Sequence, residues 1–143
     1  MRLSTFSDYG LRVLMYLGAR TDRLTTIAEI AEYHAISENH LMKVVHQLAR
    51  GGFIETVRGK HGGMRLARAP RAVTVGEVLR YTETDFALVE CLGAQSGCRI
   101  ESACQLRGVL DEALGALFAV LDRYTLADLL RDPGAARPLD LVR

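Results

Sequence analysis

Five residues, Tyr33-His-Ala-Ile-Ser37, separate two helical stripes, and a break that short restricts how the two helices can cross. Before the break, Thr26-Ile-Ala-Glu29 has the form of a capping box: a hydroxyl for the orphan amides and an acid three residues later. It opens a short helix to about His34 with Ile27, Ile30 and Ala31 facing inward. After the break, Ser37 caps a helix running to about Arg50, and Leu41, Val44, Val45 and Leu48 recur along it at helical spacing. Two helices so joined predict a helix-turn-helix. The second helix then exposes Glu38, Asn39, His40, Lys43, His46, Gln47 and Arg50, a set rich in groups that bond base edges or phosphates.

Gly51 and Gly52 stop that helix, Phe53 to Val57 has strand chemistry, Arg58-Gly-Lys-His-Gly-Gly63 turns, and Met64 to Ala67 returns as a second short strand. The product is a basic-tipped hairpin, a wing, on which Arg58, Lys60 and Arg65 are placed to meet phosphates or a narrow minor groove. A nucleotide phosphate loop is the competing reading. It fails because these glycines lie between two strands rather than between a strand and a helix. Charge agrees with a phosphate-facing half. The net charge is only +1, yet residues 1 to 70 hold ten Lys/Arg against six Asp/Glu, and residues 71 to 143 hold eight against eleven. A merely solvated surface can carry the same counts, so charge alone decides little.

The remaining segments are helical by the same tests. Thr5-Phe-Ser-Asp8 reads as a capping box for a first helix that buries Phe6, Tyr9, Val13, Leu14 and Leu17 and closes near Gly18 to Arg20, with Asp8 as the capping acid. The apolar residues between Met1 and Arg20 alternate with Asp8, Gly10 and Arg12, which suits neither a signal peptide nor a membrane span and implies a cytoplasmic protein. Thr74-Val-Gly-Glu77 opens another helix with Val75, Val78, Leu79 and Tyr81 inward. From about Ser102 a longer helix carries Leu106, Leu110, Leu114, Leu117, Leu121 and Tyr124, a seam that suits a helix partner and points to a homodimer. Thr125-Leu-Ala-Asp128 caps a last short helix. The expected architecture is mainly α with a small β-hairpin wing: a winged helix-turn-helix over 1–72, a cysteine loop and dimerisation helix over 73–132, and a flexible tail over 133–143.

All three cysteines, Cys91, Cys98 and Cys104, fall within fourteen residues. An odd count argues against a disulfide framework, and thiolates are soft donors for zinc, copper(I) or iron-sulfur centres. Gly93 and Gly97 let the loop fold tightly enough to aim several sulfurs at one point. Three thiolates leave a four-ligand site one donor short, so a fourth must come from elsewhere in the chain or from a second chain. Buried inert thiols and a metal-free redox switch are the competing readings. An enzyme with Cys98 or Cys104 as nucleophile has little support, because His34, His40, His46 and His61 all lie in the half assigned to nucleic acid.

Helix-turn-helix, basic wing, three-cysteine loop and long apolar helix in this order resemble the bacterial winged-helix regulators that carry iron-sulfur clusters, and within them the nitric-oxide-sensing repressors. Asn39-His40, Lys43, Gln47-Leu48, Val57 to Lys60, Gly62-Gly63, Arg65-Leu66, the cysteines and Tyr124 to Leu129 carry the resemblance, which runs from Met1 to about Asp132. It implies a homodimer that binds a palindromic operator in double-stranded DNA and releases it when nitric oxide reaches the cluster, 4Fe-4S in the favoured form and 2Fe-2S in the other. The DNA contacts expected from the residues themselves are Lys43, Arg58, Lys60 and Arg65, with Asn39, His40 and Gln47 as base readers and Ser37 beside them. In a related regulator of iron-sulfur assembly a histidine three residues after the last cysteine completes the site; here that position is Arg107, a poor ligand. The nitric-oxide-sensing relatives imply instead Asp8 of the partner subunit as the oxygen ligand, oriented by Arg12 one helical turn on. The same fold answering to iron-sulfur status or thiol oxidation, or holding structural zinc, remains the alternative.

Overall fold

The computed structural model describes residues 2–93 and 96–130. Six α-helices and one antiparallel hairpin follow in the order α1 (Thr5–Gly18), α2 (Ile27–His34), α3 (Glu38–Arg50), β1 (Ile54–Val57), β2 (Gly63–Leu66), α4 (Val75–Thr82), α5 (Gln105–Leu121) and α6 (Leu126–Leu129). The tail expected over 133–143 lies outside the described residues.

Local chemistry sets most boundaries. Thr26 and Glu29 form a reciprocal capping box on α2, Ser37 Oγ accepts the His40 amide at the start of α3, and Thr125 and Asp128 form a second box on α6. Between α2 and α3 the chain turns on Ala35, the only non-glycine residue with positive φ among those described, at 53°. The hairpin pairs Ile54 with Leu66 and Val57 with Gly63, and Thr25 and Met64 exchange backbone hydrogen bonds of 2.9 and 2.8 Å to widen its inner edge. At the wing tip Gly59 takes φ 114°, and Gly62 lies so close to the Val57 carbonyl that no side chain fits there.

Three expectations need correction. The cap of α1 is Ser4, not Thr5: Ser4 Oγ accepts the Ser7 amide, while the Ser4 amide donates to Glu83, so Asp8 is not needed as a capping acid. Tyr81 is not inward; its hydroxyl donates to the Gln47 carbonyl at 2.9 Å and its ring lies against Phe53, which leaves it on the surface over the end of α3. The long helix begins at Gln105 rather than near Ser102, because Glu101–Ala103 winds as a separate 3-10 turn.

One core runs through the body. Val13, Leu14 and Leu17 of α1, Ile30 of α2, Leu41, Val44, Val45 and Leu48 of α3, and Phe53, Ile54 and Met64 of the hairpin are joined there by Val73, Val78 and Leu126. Each fully buried aliphatic side chain contributes about 1.5–3 kcal/mol, and Leu14 of α1 with Leu41 and Leu48 of α3 are among them, on two helices that pack together. By contrast α5 buries none of its seventeen residues. Its last turns hold to α4 and the segment after it, through Arg80 to Asp122 and an edge-to-face contact of Phe86 with Phe118 at 4.7 Å. Leu106 and Val109, near its start, are exposed.

Candidate functional site

Capping and burial together decide what α3 shows. With Leu41, Val44, Val45 and Leu48 packed inward, Asn39, His40, Met42, Lys43 and His46 are exposed and Gln47 is half-buried. Asn39, Met42, Lys43 and His46 line one shallow groove along the helix. Ser37 is exposed at its start. Met42 is the member sequence reasoning missed; its signal was a large apolar residue off the buried stripe, and an exposed methionine suits contact with a thymine methyl group.

On the wing, Arg58 and Lys60 are exposed at the tip. Arg65 is also exposed, but its guanidinium is held by Glu55 across the strand pair at 3.0 Å, which raises its pKa above the usual arginine value through that hydrogen bond and the attached charge. Arg65 therefore meets a phosphate only in competition with Glu55.

The thiols lie on the opposite stretch of chain, between α4 and α5. Cys91 sits half-buried in a 3-10 turn (Glu90–Leu92), Cys98 is exposed, and Cys104 is the residue preceding α5; all three are free thiols. Glu90 Oε1 accepts the Gly97 amide at 3.1 Å, which ties the Cys91 turn to the residue before Cys98. The three share one loop, yet among the described residues no group of three Cys, His, Asp or Glu side chains is gathered as a metal site requires. The physical reason is that local turns shape this loop: Glu90–Leu92 and Glu101–Ala103 are closed by their own backbone bonds, and residues 96–100 are exposed. The donor set itself, three free thiols and no disulfide, fits a sulfur-ligated iron or zinc centre. Arg107, beside the loop, is paired with Glu101 at 3.2 Å and offers no ligand.

Asp8 projects from the first turn of α1 and is about half exposed. Arg12 grips it with two contacts, Nε to Oδ1 at 3.1 Å and Nη2 to Oδ2 at 2.9 Å. Behind this pair stands His34, which burial first, and then the charge of Arg12, pushes below the usual histidine pKa.

Beside the last turns of α5 a groove of about 530 Å³ is lined by Leu79, Phe86, Leu88, Leu114, Leu117 and Leu121, among others. No helix among the described residues is long and apolar enough to cross a membrane.

Comparison with known proteins gives a concordant result. The sequence model of the Rrf2 family, described as an iron-dependent transcriptional regulator, matches residues 3–132. The HTH-type transcriptional regulator NsrR of Bacillus subtilis is 49% identical over 134 residues, covering 92% of each chain. The regulator of the same name from Bacillus licheniformis is 45% identical over 141 residues, covering 97% of this chain and 99% of its own. Among solved structures, IscR of T. potens superposes with a TM-score of 0.74 at 29% identity, over 96% of this chain and 91% of that one.

Proposed function

Because the chain belongs to the Rrf2 family of transcriptional regulators, and is a DNA-binding regulator rather than an enzyme, we propose that it is a cytoplasmic, homodimeric repressor whose operator binding is governed by an iron-sulfur cluster reactive toward nitric oxide. The observation that carries this is the pairing, on one chain 42–49% identical to regulators named NsrR, of an outward polar α3 with three free thiols at the root of an unburied helix.

Each part has a role. Lys43, Arg58, Lys60 and Arg65 hold phosphates, and Ser37, Asn39, His40 and Gln47 reach base edges and the flanking backbone. Leu106, Val109 and the half-buried leucines of α5 meet the same helix of a second copy. Cys91, Cys98 and Cys104 would hold the cluster, of the 4Fe-4S type in the favoured form, with Asp8 of the partner subunit as the fourth donor and Arg12 fixing that carboxylate. A bound cluster supplies the point at which nitric oxide reacts. Without a cluster the thiols would leave the loop to the turns closed by its own backbone, Glu90–Leu92 and Glu101–Ala103, and the start of α5 would be free to shift. Two recognition helices fit a palindrome only when about one helical turn of DNA apart, so that displacement loosens the operator.

The test is protein prepared without oxygen, followed by visible absorption and operator anisotropy as nitric oxide is added in steps. Bleaching of a brown absorption in parallel with operator release is expected, and Cys98→Ala should give a colourless, folded dimer with weak operator binding. Tight specific binding by that variant would overturn the mechanism. A colourless protein carrying zinc would replace the cluster with a structural site.

A further inference from the structure

Two side-chain contacts away from both the thiols and the DNA face fasten α1 to the segment that leads into the cysteine loop. Ser7 Oγ donates to Thr82 Oγ1 at 2.7 Å with both residues buried, and Thr82 Oγ1 donates onward to the Val78 carbonyl at 2.9 Å. The Ser4 amide donates to Glu83 Oε1 at 2.7 Å, and Ser4 Oγ and Ser7 Oγ lie 3.2 Å apart between the two contacts. Burial pushes the Glu83 carboxyl upward, but hydrogen bonding by the neighbouring Ser7 and Ser4, the Ser4 amide included, outweighs it, and the net shift is downward.

The joint connects two particular places. Glu83 ends α4 and is the first residue of the segment that reaches Cys91. Ser4 starts α1, and its carbonyl accepts the Asp8 amide at 3.1 Å, so Asp8 is one hydrogen bond from the joint. A satisfied hydroxyl chain in a low-dielectric interior has little slack, so movement of residue 83 is passed to the first turn of α1.

We infer that Ser4, Ser7, Thr82 and Glu83 are positioning residues that set Asp8 according to the state of the same subunit's cysteine segment, so that the two metal centres of the dimer are gained and lost together. This rests on the reading in which Asp8 serves the partner's thiols. Each chain then gives three thiols to one centre and a carboxylate to the other, and the joint ties the two by hydrogen bonds within one chain's body. Disturbance at one centre shifts its cysteine segment, the joint shifts Asp8, and the second centre loses its oxygen donor.

The test uses Ser7→Ala/Thr82→Val in the full chain. It removes both buried hydroxyls at nearly constant shape and orphans neither, so the fold should survive. In metal-free protein, alkylation of Cys91 should speed hydrogen exchange at the Asp8 amide several-fold in the parent and leave it unchanged in the variant. In loaded protein, iron release against added nitric oxide should be steep in the parent, with a Hill coefficient well above one and approaching about two, and near one in the variant. Thr82→Ser, which keeps a hydroxyl, should behave as the parent, and Glu83→Ala, on the half-exposed side, should behave as the double variant. An Asp8 amide blind to Cys91 alkylation, or equal steepness in parent and double variant, overturns the inference. Asp8→Ala with full iron content would instead overturn the ligand assignment, and the exchange measurement on metal-free protein would still report on the joint.

Discussion

Arg80 and Asp122 meet through two parallel hydrogen bonds, Nη1 to Oδ1 at 2.5 Å and Nη2 to Oδ2 at 2.7 Å, and so join α4 to the residue that closes α5. The same guanidinium lies 4.2 Å over the Phe118 ring, and Gly76 leaves room for the Asp122 carboxylate against α4. The hydrogen bond holds the Asp122 carboxyl below its usual range and raises Arg80. Arg80→Ala should therefore loosen the last turn of α5, seen as faster amide exchange at Asp122 and Arg123, with α1 to α3 unchanged. Arg80→Lys, which lacks the planar fork, should recover only part of the protection.

Removal of a phosphate ligand and removal of a base reader leave different signatures. Lys43→Ala should weaken binding by a similar factor on any DNA sequence and reduce the slope of log affinity against log salt by about one. Asn39→Ala should cost about 1–3 kcal/mol at one operator position and little on random DNA. Titration of fluorescent duplexes at several salt concentrations separates the two, and a uniform effect from Asn39→Ala would move that residue to the phosphate set.

Glu55 pairs with Arg65 at 3.0 Å and so competes with any other anion for it. Glu55→Gln should release it, tightening DNA binding and steepening its salt dependence relative to the parent. Weaker binding would mean that Glu55 aims Arg65 rather than restraining it.

His34 gives stability a pH dependence of known sign. Its Nε2 is buried with no hydrogen-bond partner among the described residues, and burial followed by the Arg12 charge lowers its pKa. Asp8 and Arg20 also act on it, in opposite directions, as does a hydrogen bond with the Arg12 backbone. The unfolded chain then binds the proton more readily, so stability is full above the ordinary histidine value of about 6.5 and falls as pH drops through it. Urea midpoints of metal-free protein at pH 7.5 and 5.5 should show this loss, reduced in His34→Phe. An equal loss in both would place the titrating group elsewhere.

How much of this was legible before folding differs from element to element. The bounds of α2, α3 and α6 follow from caps within four residues of each other, Thr26 with Glu29, Ser37 with His40 and Thr125 with Asp128, and such local signals survive in the bare sequence. Ser4 and Thr5 are adjacent hydroxyls, and what selects Ser4 is Glu83, seventy-nine positions away. Ser7 with Thr82 is equally invisible to periodicity, since a buried serine breaks the apolar stripe it belongs to. Helical spacing places Tyr81 on the apolar face, whereas its hydroxyl donates to the carbonyl of Gln47. Periodicity suffices to put Asn39, Lys43 and His46 on the exposed side of α3 but does not single out Met42, and the grip of Glu55 on Arg65 and the separate turns around Cys91 and Cys104 come only with the fold.

A helix that buries none of its seventeen residues within its own chain is unfinished until another surface covers it. If that surface is a second copy, folding and pairing become one equilibrium, and the midpoint of unfolding rises with protein concentration. Newly made chains at low copy number would then stay unpaired and open to proteolysis, so the cell would carry either a working stock of this regulator or very little. Abundance would thereby become a second input to the operator, one that acts without any chemistry at the thiols.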